Sequence, residues 1–434
     1  MTGRVQNKNS KIGRILHIAR EFGPVAGAGG IKDVTWGLCH ATANAGIAVE
    51  IFLPHYRKVD DYLLHHDLTL NESVAFVVPM DYGPYVHAEH VTVSTCQIAP
   101  NLCLSLLKAD SFRYLAEAPE KKIVRHGIYQ YTKAEAAALG NASLEGLGYS
   151  DAFAQNVLLV KASLLTLAQV PWRPDLVHCH DGHAALFPLI AQVGMEAYPP
   201  YLAHVPTLLT IHNAGKGYHQ ETAGLDYAQS ICGIPKNMAK TVIEACLLEG
   251  AFDPLLAGGI YSTAVNTVSE NYARELRETG LDALTGWLGH TYAGRGVNLI
   301  GITNGIDLCA HDSTGSPCAG KEALKKTSIT QLKDFKDTES DQKYGDLSEE
   351  VCRPLFTFVG RLTAQKGFDD LHDAVSRLLD EDEQAGLWGL GNGDPRIVKK
   401  FQALAKKYKD RVCFIEGFSE FHANQIFASG DFFL

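Results

Sequence analysis
The sequence predicts an α/β fold, two doubly wound domains in tandem, each a parallel sheet with helices on both faces. Three observations predict it. Short apolar, β-branched runs alternate with segments of helical period along the chain. Most of the runs open into polar loops rich in Gly, His or Asn, as at the carboxyl ends of parallel strands. The series pauses in a polar stretch, residues 308–350, and starts again near residue 354. The domains expected are a flexible N-terminus over 1–11, a Rossmann-like domain over 12–307, a linker or irregular segment over 308–350, and a second Rossmann-like domain over 351–434. A cleft is expected between the two at the carboxyl ends of their strands.

The elements follow in order. RILHIA reads as a buried strand, EFGPVAGAGG as its loop, and the next stretch as a helix, with Ile31, Val34, Leu38, Ala41 and Ala45 at helical spacing and Gly46 as its stop. AVEIFLP, DLVHCH, TLLTIHN and STAVNTVS read as further strands. In the second series PLFTFVGR, AGLWGLG, RVCFIEGF and DFFL are strands. FDDLHDAVSRLLDE and RIVKKFQALAKKY are helices, the second with Ile397, Phe401, Leu404 and Tyr408 inward. A doubly wound domain ordinarily runs on for about two more strand–helix units after such a strand, so the second domain is expected to be incomplete.

Composition narrows the function. The chain has 434 residues, 46% hydrophobic and 20% charged, with a net charge of −10, which gives no basic footprint for nucleic acid or an anionic membrane. Ten cysteines are scattered without a CxxC pair, the usage of reduced thiols in the cytoplasm. No run approaches the ~18 apolar residues of a membrane span.

The stretch HCHDGH, residues 178–183, is the densest chemistry. As a zinc hydrolase site it would need three converging ligands. His178 and His180, two apart on a strand, share a face, but the distant ligands of a hydrolase are not evident. As plain structure, one or both would be satisfied histidines near a strand end. As a substrate loop, it opens at the carboxyl end of a parallel strand, where α/β sites lie. GAGG at 27–30 poses a related choice. A Gly-rich turn between first strand and first helix suits a pyrophosphate. The spacing departs from GxGxxG, and VEIFLP ends in Pro54 rather than a ribose-holding acid, which argues against a nicotinamide enzyme and leaves a nucleotide sugar.

Several stretches together settle the choice. EFGPVAGAGGIKDV, PDLVHCHDGHAAL, TIHN, TVSENYAREL, GITNGID, FVGRLTAQKG and GNGDP fall in the order of the motifs of bacterial glycogen and plant starch synthases, and the chain resembles that family from residue 12 onward. The resemblance implies a retaining glucosyltransferase of the GT-B fold, two Rossmann-like domains facing across a cleft. It moves glucose from ADP-glucose to the non-reducing end of an α-1,4-glucan such as glycogen, with no cofactor and no metal. It makes His183 the residue that contacts the transferred glucose, with His180 and Asp181 orienting its loop. Arg361 and Lys366 become the cations that take the leaving diphosphate, a role that planar Arg and compact Lys suit. Gly29, Gly30, Asp33, Asn213, Gly391, Gly393 and Asp394 become donor-binding, and Glu21 lies on the acceptor side.

The pattern also breaks. Gly27 stands where the family has a lysine, and Gly182 where it has a tryptophan. In the stretch YSDAFAQN, Ala152, Gln155 and Asn156 replace the family's usual residues. With the family's glutamate-bearing loop expected after DFFL, these departures leave a weakly active enzyme, a truncated product or a non-catalytic glucan-binding relative as the alternatives.

Overall fold
The computed structural model describes residues 12–194, 198–306, 320–338, 341–348, 353–417 and 419–434. The expected flexible terminus, 1–11, lies outside the described residues, as does the segment 307–319. The chain divides into two compact units, Met1–Ile306 and Asp307–Leu434. The fold is α/β with parallel sheets in both, as the alternating sequence pattern predicts.

In the first unit the strands are β1 (Arg14–Ile18), β2 (Ala48–Pro54), β3 (Asn71–Asp81), β4 (Val86–Ala99), β5 (Leu102–Lys108), β6 (Leu176–His180) and β7 (Thr207–Ile211). After a small hairpin of β8 (Leu247–Leu248) and β9 (Ala251–Phe252) come β10 (Ala264–Thr267) and β11 (Leu299–Gly301). Among the described residues, nine of these form one sheet in the order β11-β10-β7-β6-β1-β2-β5-β4-β3. All pairs are parallel except β5–β4 and β4–β3. The chain leaves β1 toward β2 on one side and returns to β6 on the other, so strand order reverses between β1 and β6. That reversal opens a crevice at the carboxyl ends of these two strands.

The central strands read as near-continuous apolar runs because both their faces are covered. Alternation sends Phe52 into one core cluster, with Leu16, Val157 and Val177, and sends Ile51 and Leu53 into another, with Cys39 and Leu104. The helix Ala152–Gln169 is buried along nearly its whole length, which explains why its sequence is apolar all round. The first helix, Ile31–Asn44, starts where the sequence places it but turns a different face inward. Its buried residues are Thr35, Cys39 and Ala43, while Leu38 is 38% exposed. A row of small residues lets this helix lie close on the sheet, and that row outweighs the larger apolar residues beside it. No helix among the described residues is long and apolar enough to cross a membrane.

In the second unit β12 (Gln342–Leu347), β13 (Leu355–Val359), β14 (Gly386–Gly391), β15 (Arg411–Glu416) and β16 (Phe432–Phe433) form a sheet in the order β12-β15-β14-β13-β16. Among the described residues only β12 runs antiparallel, against β15. The helix Pro395–Lys407 buries Ile397, Phe401 and Leu404 together with Tyr408 beyond its end, the face its spacing predicts. The stretch read as linker, 308–350, contains a helix, Lys321–Leu332, and the strand β12. That helix hides from a hydropathy reading because its inward face includes Lys325, buried and paired with Asp431 at 2.6 Å.

Candidate active site
The loop after β1 is built by one carboxylate. Glu21 is 1% exposed, and its Oε2 accepts from the backbone N–H of Ala28 (2.6 Å) and Gly29 (2.7 Å). Its Oε1 accepts from the Tyr129 hydroxyl at 2.9 Å. The glycine-rich turn is thus closed on itself, with Gly30 as the residue that enters the first helix. Asp33 follows in the first helical turn, where an acid suits the helix dipole, and pairs with Lys32. Lys32 also fills the space above Gly27: a Cβ there would collide with the Lys32 side chain. The Gly27 carbonyl accepts from Lys58 Nζ, whose pKa burial lowers. Two cations, Lys32 and Lys58, therefore lie beside position 27.

The loop after β6 is HCHDGH. In-register pairing sets His17 of β1 beside His178 of β6, and alternation puts His180 on the same face. The three rings offer nitrogens within 4.8 Å of one another, all buried. The third nitrogen of this group thus comes from His17 on β1. These nitrogens are largely engaged already. His17 Nδ1 lies 3.0 Å from His180 Nε2, and His180 Nδ1 lies 3.1 Å from His212 Nε2. His178 Nε2 lies 2.6 Å from Thr210 Oγ1. The arrangement is a chain of neutral imidazoles, since burial holds His17 and His212 to about 4 and puts His178 and His180 well below their usual range.

Asp181 turns the chain out of β6 with φ of 56°, a left-handed conformation that a non-glycine residue tolerates only when held. Its Oδ1 accepts from His212 N at 2.6 Å and, at 3.4 Å, faces Asn213 N. Burial pushes its pKa up to about 7, against those two N–H groups. His183 follows, 6% exposed, its ring stacked on Tyr129 at 4.7 Å. Burial, then the charge of Arg20, keeps it neutral. Asn213 closes its own turn by accepting from Gly215 N at 2.8 Å. Glu21, Gly29, Gly30, His183 and Asn213 therefore share the carboxyl ends of β1, β6 and β7, whereas the Asp33 side chain is 67% exposed.

Two neighbours were not singled out from sequence. Arg20, 2% exposed, donates to Tyr56 Oη, Asn156 Oδ1, Ile128 O and Gln155 Oε1, and lies over the Tyr129 ring at 5.2 Å. Tyr129 joins Glu21 to His183. Gln155 and Asn156, read as departures from the family pattern, are the residues that hold Arg20. Only the position of Arg20, a cation directly after a central strand, offered a signal; Tyr129 lies in no motif.

In the second unit the loops after β13 and β14 zip together. Leu362 N donates to Asn392 O (2.9 Å) and Asp394 N to Leu362 O (2.8 Å). A Cβ on Gly391 would strike the Gly360 carbonyl, and one on Gly393 would strike that of Leu362, so both glycines permit close approach. Asp394 caps the helix Pro395–Lys407 and pairs with Arg396 at 2.7 Å. Arg361 and Lys366 are exposed on the first of these loops, just before the helix Phe368–Glu381.

Comparison with known proteins fits this geometry. The profile of the starch synthase catalytic domain matches residues 14–288. The chain belongs to the starch synthase catalytic domain family. It is 27% identical to the glycogen synthase of Lactobacillus acidophilus over 434 residues, covering 97% of this chain and 78% of that protein. It is 29% identical to glycogen synthase 1 of Geobacter metallireducens over 430 residues, covering 97% and 75%. The catalytic domain of starch synthase IV from Arabidopsis thaliana, solved with ADP and acarbose, shares the fold at a TM-score of 0.73 and 24% identity, covering 97% of this chain and 77% of that one. Family membership makes the chain a glycosyltransferase of the glycogen and starch synthase type.

Proposed function
We propose that the protein transfers glucose from ADP-glucose to the non-reducing end of an α-1,4-glucan, with glycogen as the polymer. The observation that carries this reading is the pairing, at the strand-order reversal, of the Glu21-clasped glycine turn with the neutral, Tyr129-stacked His183. The family supplies the reaction class, and the ADP and acarbose bound by the Arabidopsis relative supply the substrate chemistry.

In this reading Gly29 and Gly30 let the donor approach the backbone, and Asn213 and Asp33 border the sugar. A neutral His183 offers a hydrogen bond to a sugar hydroxyl without adding charge. Expulsion of the diphosphate builds negative charge, which Arg361 and Lys366 stabilise as it forms. Gly391, Gly393 and Asp394 border the nucleotide. Glu21 acts at the acceptor side through the loop it holds. The cytoplasm goes with the reading, since the described cysteines are free thiols.

The test is proton NMR of the product formed from ADP-glucose and a short maltooligosaccharide. A new α-1,4-linked terminal glucose is the expected result. Free glucose alone, or a product formed from UDP-glucose and not from ADP-glucose, contradicts the assignment.

A further inference from the structure
Between β7 and the hairpin of β8 and β9 the chain forms a strap, residues 214–222, whose middle lies on the HCHDGH turn. A Cβ on Gly182 would stand 2.7 Å from His219 O and 3.0 Å from Tyr218 O. The backbone of the strap thus occupies the space that a side chain at 182 would take, between Asp181 and His183. Gln220, at φ of 63°, accepts through Oε1 from Asn156 Nδ2 at 3.0 Å. Asn156 in turn accepts from Arg20 at 3.1 Å, and Arg20 lies over the ring on which His183 stacks. A shift of the strap therefore reaches His183 from both sides.

His219, 5% exposed, is what pins the strap. Its Nδ1 lies 2.6 Å from Asp253 Oδ2 and its Nε2 lies 2.8 Å from Ala214 O. Neither a carbonyl nor an ionised carboxylate supplies a proton, so two hydrogen bonds need two protons between ring and acid. A neutral imidazole beside a carboxylate holds only one. The pair therefore keeps an extra proton in the folded state. The other oxygen of Asp253 accepts from Leu256 N at 2.8 Å and caps the buried helix Pro254–Tyr261, which gives the pin a fixed base. Thr222 and Phe252 exchange two backbone hydrogen bonds next to it.

We propose that His219 is a positioning residue for the reaction: sharing a proton with Asp253, it clamps the strap onto Gly182 and so holds His183 in place. The proposal rests on the reading of His183 as the sugar-contacting residue. Among the described residues, the charges that bear on His219 are Asp253 from the helix and Glu221 from the strap itself. Tyr292 and Cys246, which flank Asp253, stay neutral, burial pushing both up. Burial pulls the His219 pKa down, but the Asp253 hydrogen bond and charge and the Ala214 carbonyl outweigh it, so it rises. Above that raised value the proton leaves, one of the two bonds is lost, and the clamp loosens.

The experiment uses the full chain with 15N-labelled histidine, assigned through His219→Gln. At pH 7.5 His219 is expected to show two protonated ring nitrogens while His17, His178 and His180 show one each. His219→Gln is expected to lower kcat by roughly 10²-fold, with donor KM changed by less than about twofold, and to lose the alkaline fall of the wild-type pH profile. Gly182→Ala pushes the strap off by a methyl group while leaving the proton in place. It is expected to lower kcat and keep the alkaline fall, and it stands as the test if His219→Gln does not fold. A His219 with one ring proton at pH 7.5, beside an Asp253 carboxyl shown to be ionised by its 13C shift, overturns the proposal, as does a His219→Gln enzyme with wild-type kcat and alkaline limb. If the wild type transfers no glucose at any pH, the functional reading fails separately. The clamp is then judged by amide exchange at residues 181–184, which should quicken in Gly182→Ala, and unchanged exchange overturns it.

Discussion
Single side chains decide the shape of the first-unit site. Glu21 serves three donors, two from the loop backbone and one from Tyr129, so its first task is to hold the loop. Lys32 lies across Gly27, and the two positions behave as a coupled pair. If Lys32 serves the donor phosphate in place of a lysine at 27, Lys32→Gly lowers turnover roughly ten- to a hundredfold, in line with a lost charge partner. Gly27→Lys alone collides with Lys32 and also lowers it, while the two changes together bring it back toward wild type. Steady-state kinetics on the three variants check this, and a Lys32→Gly enzyme at full rate refutes it. HCHDGH stood out in the sequence as a candidate site because three histidines and an acid so close together demand a reason. Arg20 was not, because its partners lie 108, 135 and 136 residues away and only the fold gathers them.

At the scale of elements, close packing sets the angles. The helix Pro254–Tyr261 presents Gly258 to the Ala185 backbone and Gly259 to the ring of Tyr292, and a Cβ at either would overlap its neighbour. Gly259→Ala must displace the buried Tyr292 ring, so a loss of about 1–3 kcal/mol is expected, read as a lower midpoint in denaturant. An unchanged midpoint means the ring moves freely. Because Asp253 caps this same helix, the variant also probes the base of the His219 clamp. Helices with strong period, such as Pro395–Lys407, were placed from sequence because Ile397, Phe401 and Leu404 recur at one face. The helix Lys321–Leu332 was not, because a salt-bridged lysine sits among its buried residues. The antiparallel excursion β3–β4–β5 was also unread, since three strands joined without helices break the strand–helix alternation on which the reading rests.

For the whole molecule, the buried histidines predict acid lability. His17, His178, His180, His183 and His212 are neutral in the fold and held below their usual range by burial. In the unfolded chain they titrate near 6.5, so unfolding takes up protons at pH below that and stability falls as pH drops from about 6.5 toward 4. Asp181, raised to about 7, works in the opposite direction over this window but is one group against five. Unfolding at pH 5 should take up more than one proton, measured calorimetrically in buffers of different ionisation heat. Uptake of one proton or none means the rings are not buried neutral.

The α/β class followed from alternation of strand-like and helix-like runs, and the family from seven motifs in order, because both are written in local sequence. The residues that shape the candidate site are not, because their contacts join distant segments. The measurement that bears most directly on the proposed transfer is incorporation of labelled glucose from ADP-glucose into glycogen by the wild-type chain, with Lys366→Ala beside it. The expected result is polymer-bound label from the wild type and a rate lower by roughly two to three powers of ten in the variant, as for other removed transition-state charges. No label from the wild type, or equal rates for the two proteins, would contradict it.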